Sequence, residues 1–226
     1  MIKIPRGCVL WLDLTEDTGN IVYDHSGHGN NGKVYGAVLE KRLPLVGRRF
    51  DGVDDYVEVT HSDSLNITDE ITIETWVNPY RLGTWARIVS KGDMIYGFER
   101  VGDANYFRFV VHVNETWRYS QKVAYEVYKW IHLAGTYSSS TRLIKLYVNG
   151  EFVTQTELTG LTTYKITSTT DPLQIGAGNN IRHFSGTIAH VSIYNRALTQ
   201  KEIKYLYEEM QKRIFRRIAP LEIKMR

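Results

Sequence analysis

The chain has 226 residues and a net charge of +3, with one cysteine, 15 tyrosines and five tryptophans. This length suits one large β-sandwich with a core of its own, and the single thiol of Cys8 excludes an internal disulfide framework. Residues 1–6 lack the apolar run of a signal peptide, and no stretch of about 20 apolar residues could span a membrane. We expect Cys8 to be a small apolar residue of the first strand. The sequence leaves open whether the chain stays in the cytoplasm, is released by lysis or has lost a leader.

The charge is unevenly distributed along the chain. Residues 199–226 hold eight Lys or Arg and four Asp or Glu, and the remainder holds 20 and 21. The part before residue 199 is therefore nearly neutral, which argues against nucleic-acid binding by it.

Two turn-rich segments lie in the first quarter of the chain. Residues 24–32 (DHSGHGNNG) combine Asp, Ser, Asn and Gly, which favour tight loops. Residues 50–55 (FDGVDD) predict an acidic turn, and the alternating residues 56–59 (YVEV) predict a strand after it.

Most of the following chain has a period of two residues. Residues 107–113 (FRFVVHV) are apolar at every odd position, and the even positions include Arg108 and His112. This pattern predicts a half-buried antiparallel strand whose polar face is available for contacts.

A hairpin is predicted around Asn149 and Gly150, because both central residues of a type I′ turn need positive φ. Residues 143–148 form its first strand and residues 151–154 its return strand. The predicted inward residues of the first strand are Ile144, Leu146 and Val148.

The pattern becomes helical at Thr199. Thr199 and Glu202 form a capping box, and the helix is expected to end near Arg217, before Pro220. We therefore predict two parts, a sandwich over residues 1–198 and an amphipathic, basic C-terminal helix and tail over residues 199–226. The predicted apolar stripe is Ile203, Leu206, Tyr207, Met210, Ile214 and Ile218.

Three roles for this helix remain open. It could pack on its own sandwich, or it could form a homo-oligomer or dock a partner protein. A third possibility is contact with a membrane surface or nucleic acid through Lys212, Arg213, Arg216 and Arg217.

An ordered series of motifs lies at residues 24–32, 50–59, 71–77, 132–137, 144–150, 186–188 and 191–198. In this order and spacing, the motifs resemble the laminin-G-like members of the concanavalin A-like lectin/glucanase jelly-roll superfamily. The resemblance covers roughly residues 7–207. It implies an all-β fold, a two-sheet antiparallel jelly-roll sandwich with a C-terminal α-helix, and suggests an extracellular or virion-surface location.

Catalysis is not expected. Glucanases of this superfamily use two carboxylates that flank the glycosidic bond, and such pairs lie two residues apart on one strand face. Glu74 has only Thr72 and Trp76 as neighbours on its face, and Asp54 and Asp55 are adjacent, so they point to opposite faces in an extended strand. The seven histidines form no zinc pair.

The loop 24–32 offers oxygen ligands of the kind that calcium prefers. The resemblance implies a structural calcium ion held by the Asp24 carboxylate, the Asn31 amide oxygen and loop carbonyls. Relatives often carry an acidic pair where this chain has Ala189 and His190, which should weaken such a site. The alternative is a loop held by Asx turns without metal. Asp51 and Asp54 are fallback ligands, and the alternative role for both, which we favour, is to make hydrogen bonds within their turn.

A ligand-binding face is predicted from aromatic and polar residues in and between the strands. Trp85 and Trp117 lie in polar segments, where a flat ring can stack on a sugar. The alternative is an ordinary sheet surface, since aromatic residues are favoured in strands. The predicted groove is lined by Tyr96, Arg108, His112, Trp117, Asn179 and His183.

Three functions compete. The first is a non-catalytic carbohydrate-binding or adhesion module whose partner is a glycan or polysaccharide. The second is a structural component of a virion or surface layer that docks through residues 199–226. The third, a glycoside hydrolase, is disfavoured by the missing acid cluster.

Overall fold

The structure, a computed structural model, describes residues 2–41, 46–80, 83–102 and 105–216. Its described strands form two antiparallel sheets packed face to face, and one α-helix, α1 (Gln200–Arg216), follows the last strand. This arrangement confirms the predicted two-sheet antiparallel jelly-roll sandwich with a C-terminal α-helix.

In chain order, the described strands are β1 (Cys8–Asp13), β2 (Ile21–Val22), β3 (Gly32–Tyr35), β4 (Val38–Glu40), β5 (Gly47–Asp51), β6 (Tyr56–Val59), β7 (Glu70–Pro79), β8 (Arg87–Lys91), β9 (Tyr96–Arg100), β10 (Tyr106–Val113), β11 (Thr116–Tyr119), β12 (Val123–Ala124), β13 (Ile131–Ser138), β14 (Leu143–Val148), β15 (Glu151–Glu157), β16 (Leu173–Ile175) and β17 (Ser185–Tyr194).

Sheet I runs in the order β15-β14-β13-β7-β17-β5-β4, with β1 also paired to β17. Sheet II runs in the order β11-β10-β9-β8-β16-β6-β3-β2, with β12 also paired to β10. In the described chain, β11 and β15 are therefore the edge strands at one side of the sandwich. This side positions the site described below.

The core lies between the two sheets and follows the predicted period of two. Phe107, Phe109, Val111 and Val113 of β10 are fully buried, whereas Arg108 and His112 point to the outer face of sheet II. Ile144 and Leu146 of β14 are buried as predicted, and Val148 packs against the same core. Cys8 is buried in β1, also as predicted.

The β14–β15 hairpin turns at Asn149 and Gly150, which have φ values of 49° and 79°. A Cβ on Gly150 would lie 3.0 Å from the Tyr207 ring of α1. Glycine is therefore required here both by the backbone conformation and by the close approach of the helix.

Helix α1 covers the outer face of sheet I. The capping box forms as predicted, since Thr199 N donates to Glu202 Oε2 at 2.9 Å and Glu202 N donates to Thr199 Oγ1 at 3.3 Å. Each anchor of the apolar stripe contributes about 1.5–3 kcal/mol through burial. The buried anchors are Ile203, Leu206 and Met210, which pack in one cluster with Trp11 and Trp76.

The apolar stripe of α1 is thus occupied by its own sandwich as far as Met210. This packing corresponds to the first of the three roles considered for the helix. The side chain of Ile214 and all of residues 217–226, which include Ile218, lie outside the described residues. Within the described chain, no helix has the length and apolar character needed to cross a bilayer.

Candidate functional site

Three residues of the predicted groove share the outer face of sheet II. Trp117 of β11 lies opposite His112 of β10, and their rings meet edge to face with centroids 5.5 Å apart. Trp117 is 42% exposed, and its Nε1 donates to the Asp93 carbonyl at 3.2 Å, which fixes the ring. Arg108 lies on the same face of β10. A half-exposed indole in a fixed orientation is therefore available at this edge of the sheet.

Arg108 is held between an acid and two aromatic rings. Its Nε and Nη2 donate to Glu99 Oε1 at 2.9 and 2.7 Å. The guanidinium carbon lies 3.5 Å from the centroid of Tyr119 and 5.3 Å from that of Trp85. We call Trp85, Trp117, Tyr119, Arg108 and Glu99 the aromatic shelf. Stacking and ion pairing together restrict the arginine, so the shelf is a stiff surface.

His112 lies beside Trp117 on the same face of the sheet. Its Nδ1 lies 2.7 Å from Thr167 Oγ1. Burial lowers the pKa of His112, because desolvation disfavours the imidazolium form. The ring beside Trp117 is therefore neutral at pH 7 and offers hydrogen bonds rather than charge.

The prediction for Tyr96 was wrong. Its side chain is 1% exposed and lies in the core, where its hydroxyl donates to the Leu65 carbonyl at 2.6 Å. Burial raises its pKa. The error is one of strand parity, since β9 directs Tyr96 and Phe98 inward, leaving Gly97 and Glu99 on the outer face.

Sequence reasoning missed two residues of the shelf, Glu99 and Tyr119. Glu99 is paired with Arg108 across the β9–β10 ladder, and Tyr119 is paired with Val110 across the β10–β11 ladder. Tyr119 could have been found from its spacing, because it lies two residues after Trp117 and so on the same face of an extended strand.

Asn179 and His183 lie apart from the shelf, in the loop between β16 and β17. Asn179 has a φ of 51°. The His183 Nε2 lies 3.2 Å from the Asn180 carbonyl, and its ring approaches Tyr56 of β6 with centroids 6.5 Å apart. Four strands separate β6 from β11, which corresponds to about 24 Å at the usual strand spacing. The predicted groove residues therefore fall on two surfaces, Asn179 and His183 in this loop and Arg108, His112 and Trp117 on β10 and β11.

A buried arginine joins these two surfaces. The Arg87 Nη2 donates to Asp93 Oδ1 at 2.8 Å. The backbone carbonyl of the same Asp93 accepts the hydrogen bond from the Trp117 indole. On the other side, a Cβ on Gly178 would lie 2.3 Å from Arg87 Cδ. The loop between β16 and β17 thus packs directly on Arg87. Arg87 holds Asp93, whose carbonyl orients Trp117.

A cleft of about 460 Å³ opens between the edge strands β11 and β15. Within the described chain, Arg118 Nε and Thr156 Oγ1 are buried without a hydrogen-bond partner. Arg118 lies opposite Val111, a core residue, so it points between the sheets rather than onto the shelf. The walls of the cleft are Trp117, Arg118, Tyr119, Thr156, Glu157, Leu158, Thr159 and Leu161.

The loop 24–32 does not fit a calcium ion at the predicted ligands. Asp24 Oδ1 accepts the amides of Trp11 and Ser26, each at 2.9 Å, and Oδ2 accepts Ser26 Oγ at 2.7 Å and Asn30 N at 2.9 Å. The Asn31 Oδ1 accepts Asp24 N at 2.8 Å. Oxygens that face four N–H or O–H donors do not face a cation, so this loop is an Asx-type network.

The fallback ligands Asp51 and Asp54 meet Asp55, with one carboxylate oxygen of each within 4.8 Å of the others. Asp51 Oδ1 accepts Val53 N at 2.8 Å, which lowers the Asp51 pKa. Burial and then the charges of Asp51 and Asp54 raise the pKa of Asp55, although its hydrogen bond from Asp51 N opposes them. The three acids close the tight turn before β6.

Solved structures with this architecture are distant in sequence. The binding domain of botulinum neurotoxin serotype D matches with a TM-score of 0.69 at 16% identity, over 90% of this chain and 52% of that one. The binding domain of Paraclostridial Mosquitocidal Protein 1 matches with a TM-score of 0.66 at 16% identity, over 90% of this chain and 52% of that one. The binding domain of botulinum neurotoxin DC in complex with SialylT matches with a TM-score of 0.66 at 18% identity, over 91% of this chain and 52% of that one. This chain spans about half of each of them, and the likeness shows the fold alone.

The sequence comparisons place the chain more narrowly. Pappalysin-1 of Mus musculus is 38% identical over 76 residues, which are 33% of this chain and 5% of that protein. The family model described as the concanavalin A-like lectin/glucanases superfamily matches residues 51–204, more than half of the chain. The chain therefore belongs to the concanavalin A-like lectin/glucanases superfamily, as one of its laminin-G-like domains.

Proposed function

We propose that this chain is a non-catalytic carbohydrate-binding module whose ligand stacks on the aromatic shelf. The observation that carries the proposal is the stacking of Trp85 and Tyr119 on Arg108, which is paired with Glu99, with Trp117 two residues before Tyr119 on the same sheet face. Aromatic faces bind the apolar side of a pyranose ring, and the polar edges of the shelf meet its hydroxyl groups. The neurotoxin DC domain, whose structure was determined with SialylT, gives this proposal support by analogy of fold.

The shelf is suited to binding because contacts within the protein already hold its side chains in place. Arg108 is already stacked and paired, and the Trp117 indole is already hydrogen bonded. A preorganised surface loses less side-chain entropy on binding, which favours affinity. A single shallow shelf still gives weak affinity, and several copies on a cell or virion surface would raise it through multivalency.

The positions of the carboxylates support a role without catalysis. In the described strands of sheet II, the acids are Glu58 on β6 and Glu99 on β9. Two strands lie between β6 and β9, which corresponds to a separation of about 14 Å. Glycosidases place their two carboxylates roughly 5–10 Å apart. Glu99 is in addition engaged by Arg108.

A glycan and polysaccharide array tests the proposal, once with calcium and once with a chelator. We expect specific binding that Trp117→Ala lowers about tenfold, because one stacking face is lost. Phe152→Ala is the matched control, since Phe152 is 44% exposed, also lies on a strand and belongs to sheet I. Binding that survives Trp117→Ala unchanged in a folded variant would contradict the shelf.

A further inference from the structure

We propose that the cleft between β11 and β15 selects saccharides that carry a carboxylate, which Arg118 binds while the sugar ring stacks on Trp117. This inference rests on the proposed function and names the chemical class of its ligand. It starts from a different observation, the buried Nε of Arg118, which has no hydrogen-bond partner in the described chain and lies at the open edge of the sandwich.

The first step is the position of Arg118. In the β10–β11 ladder, Trp117 and Tyr119 lie opposite His112 and Val110, whereas Arg118 lies opposite Val111, which belongs to the core between the sheets. Because β11 is an edge strand, Arg118 reaches into the gap between the sheets without entering the core. Trp117 and Arg118 therefore border the same cleft from two sides, although they are neighbours in sequence.

The second step is the unmet hydrogen-bonding capacity of the cleft. Arg118 Nε is buried, and no acceptor or ion-pair partner is found for it in the part of the chain that the structure describes. Thr156 Oγ1, across the cleft on β15, is buried and unpaired in the same sense. A guanidinium stays charged at any ordinary pH, and a buried N–H without an acceptor is unfavourable.

The third step is the kind of group that fits. A carboxylate accepts two parallel N–H bonds from a guanidinium, and this fork geometry is shorter and stronger than a neutral hydrogen bond. Thr156 Oγ1 could donate to the same group. The cleft of about 460 Å³ lies within the usual range of ligand sites. A sugar with a carboxylate next to its ring can therefore use both the cation and the stacking face.

Glu157 is the charge in the cleft that opposes an acidic ligand. It is exposed, and no described contact joins it to Arg118. Its repulsion of an acidic ligand is therefore screened by water and salt. Replacing Arg118 should therefore weaken the binding of an acidic ligand, whereas replacing Glu157 should strengthen it.

The experiment is calorimetric titration at low and physiological salt with two acidic probes, sialyllactose and a galacturonate oligomer, and two neutral ones, lactose and a galactose oligomer. We expect the acidic probes to bind about tenfold more tightly or better, the energy of a hydrogen bond to a charged group. Arg118→Gln should remove this preference, Glu157→Gln should increase it, and Phe152→Ala should leave it unchanged. The two acidic probes separate a sialylated glycan from a uronate polymer.

Each outcome decides a separate point. Equal affinity for acidic and neutral probes in the wild type, with no effect of Arg118→Gln, overturns the cleft while the shelf stands. If the folded wild type binds none of the probes or array glycans, the proposed function fails and the cleft fails with it. Should Arg118→Gln not fold, Thr156→Val and the salt dependence of the wild-type preference test the same contact, and a preference that salt does not weaken contradicts it.

Discussion

The Nε2 of His132 lies 3.1 Å from a carboxylate oxygen of Glu74, and both side chains are excluded from solvent beneath α1. Ser192 Oγ donates to the other oxygen of Glu74 at 3.0 Å. Burial alone raises the pKa of Glu74, but the hydrogen bond and charge of His132 outweigh it, so this pKa is lowered. A buried carboxylate, contacted by His132 and Ser192, is therefore sealed between sheet I and the helix.

We expect Glu74→Gln to lower the free energy of unfolding by about 1.5–3 kcal/mol, because the buried His132 and Ser192 side chains lose a charged acceptor. Urea denaturation monitored by tryptophan fluorescence measures the change. Glu126→Gln is the matched control, because Glu126 pairs with Lys129 at 2.6 Å on the surface, where both are mostly exposed. That variant should differ little from wild type. An equally small effect of Glu74→Gln would contradict the buried pair.

The stability of the domain should fall in acid, with His190 acting first. His190 is buried beside Glu74, His132, Asp13 and Arg213, and its burial lowers its pKa. The unfolded chain therefore takes up a proton near pH 6.5 that the folded chain resists, so stability is lost as the pH falls below that value.

Glu74 acts at lower pH. Since its folded pKa is lowered, its contribution is present above the usual carboxylate pKa and is lost as the pH falls through the folded value. Melting temperature measured from pH 7.5 to 3.5 checks both steps. His190→Gln should flatten the slope between pH 7 and 5, whereas exchange of the exposed His28 to Gln should not. If His190→Gln keeps the wild-type slope of melting temperature against pH, as the His28 variant should, His190 is not the group responsible.

Gly178→Ala should weaken both folding and ligand binding. The new Cβ would lie 2.3 Å from Arg87 Cδ, and a shifted Arg87 would release Asp93, whose carbonyl holds Trp117. We expect a loss of about 1–3 kcal/mol in stability, as for other overpacked sites. Gly83→Ala is the control, since no atom lies within 4 Å of its Cβ position. Differential scanning fluorimetry and the glycan array provide the two measurements.

Asp24→Ala should destabilise the fold to the same extent with calcium and with a chelator. The substitution removes the acceptor of four donors, at a cost of roughly 3 kcal/mol or more. Wild-type melting temperature should likewise not respond to calcium. A calcium-induced rise that is lost in Asp24→Ala would reinstate the metal site predicted from the resemblance.

Local pattern was sufficient to predict the elements that depend on neighbours in sequence. The alternation of β10, the Asn149–Gly150 turn and the Thr199–Glu202 capping box each arise within a few residues. These signals also placed Arg108, His112 and Trp117 near one another, because β10 and β11 form a short hairpin.

The rest of the site depends on which strands become neighbours. Residues 95–100 (IYGFER) show no clear alternation of apolar and polar residues, so the sequence does not reveal which side chains of β9 face the core. The pairing with β10 decides this, and Tyr96 was therefore assigned to the wrong face. Thr156 meets the cleft of Arg118 from the other sheet, 38 positions later in the chain. The Glu74–His132 pair likewise joins two strands far apart in sequence, which no single-sequence pattern reveals.

Because α1 lies over sheet I, the domain has a back and a front. The exposed residues Lys201, Lys204 and Glu208 of α1 mark the back, and the aromatic shelf marks the front. A tether placed on Lys201 or Glu208 would hold the domain by its helix and turn Trp117 toward the solution. The same orientation on a surface would present every copy with its shelf outward, which is the geometry that an array of weak sites needs.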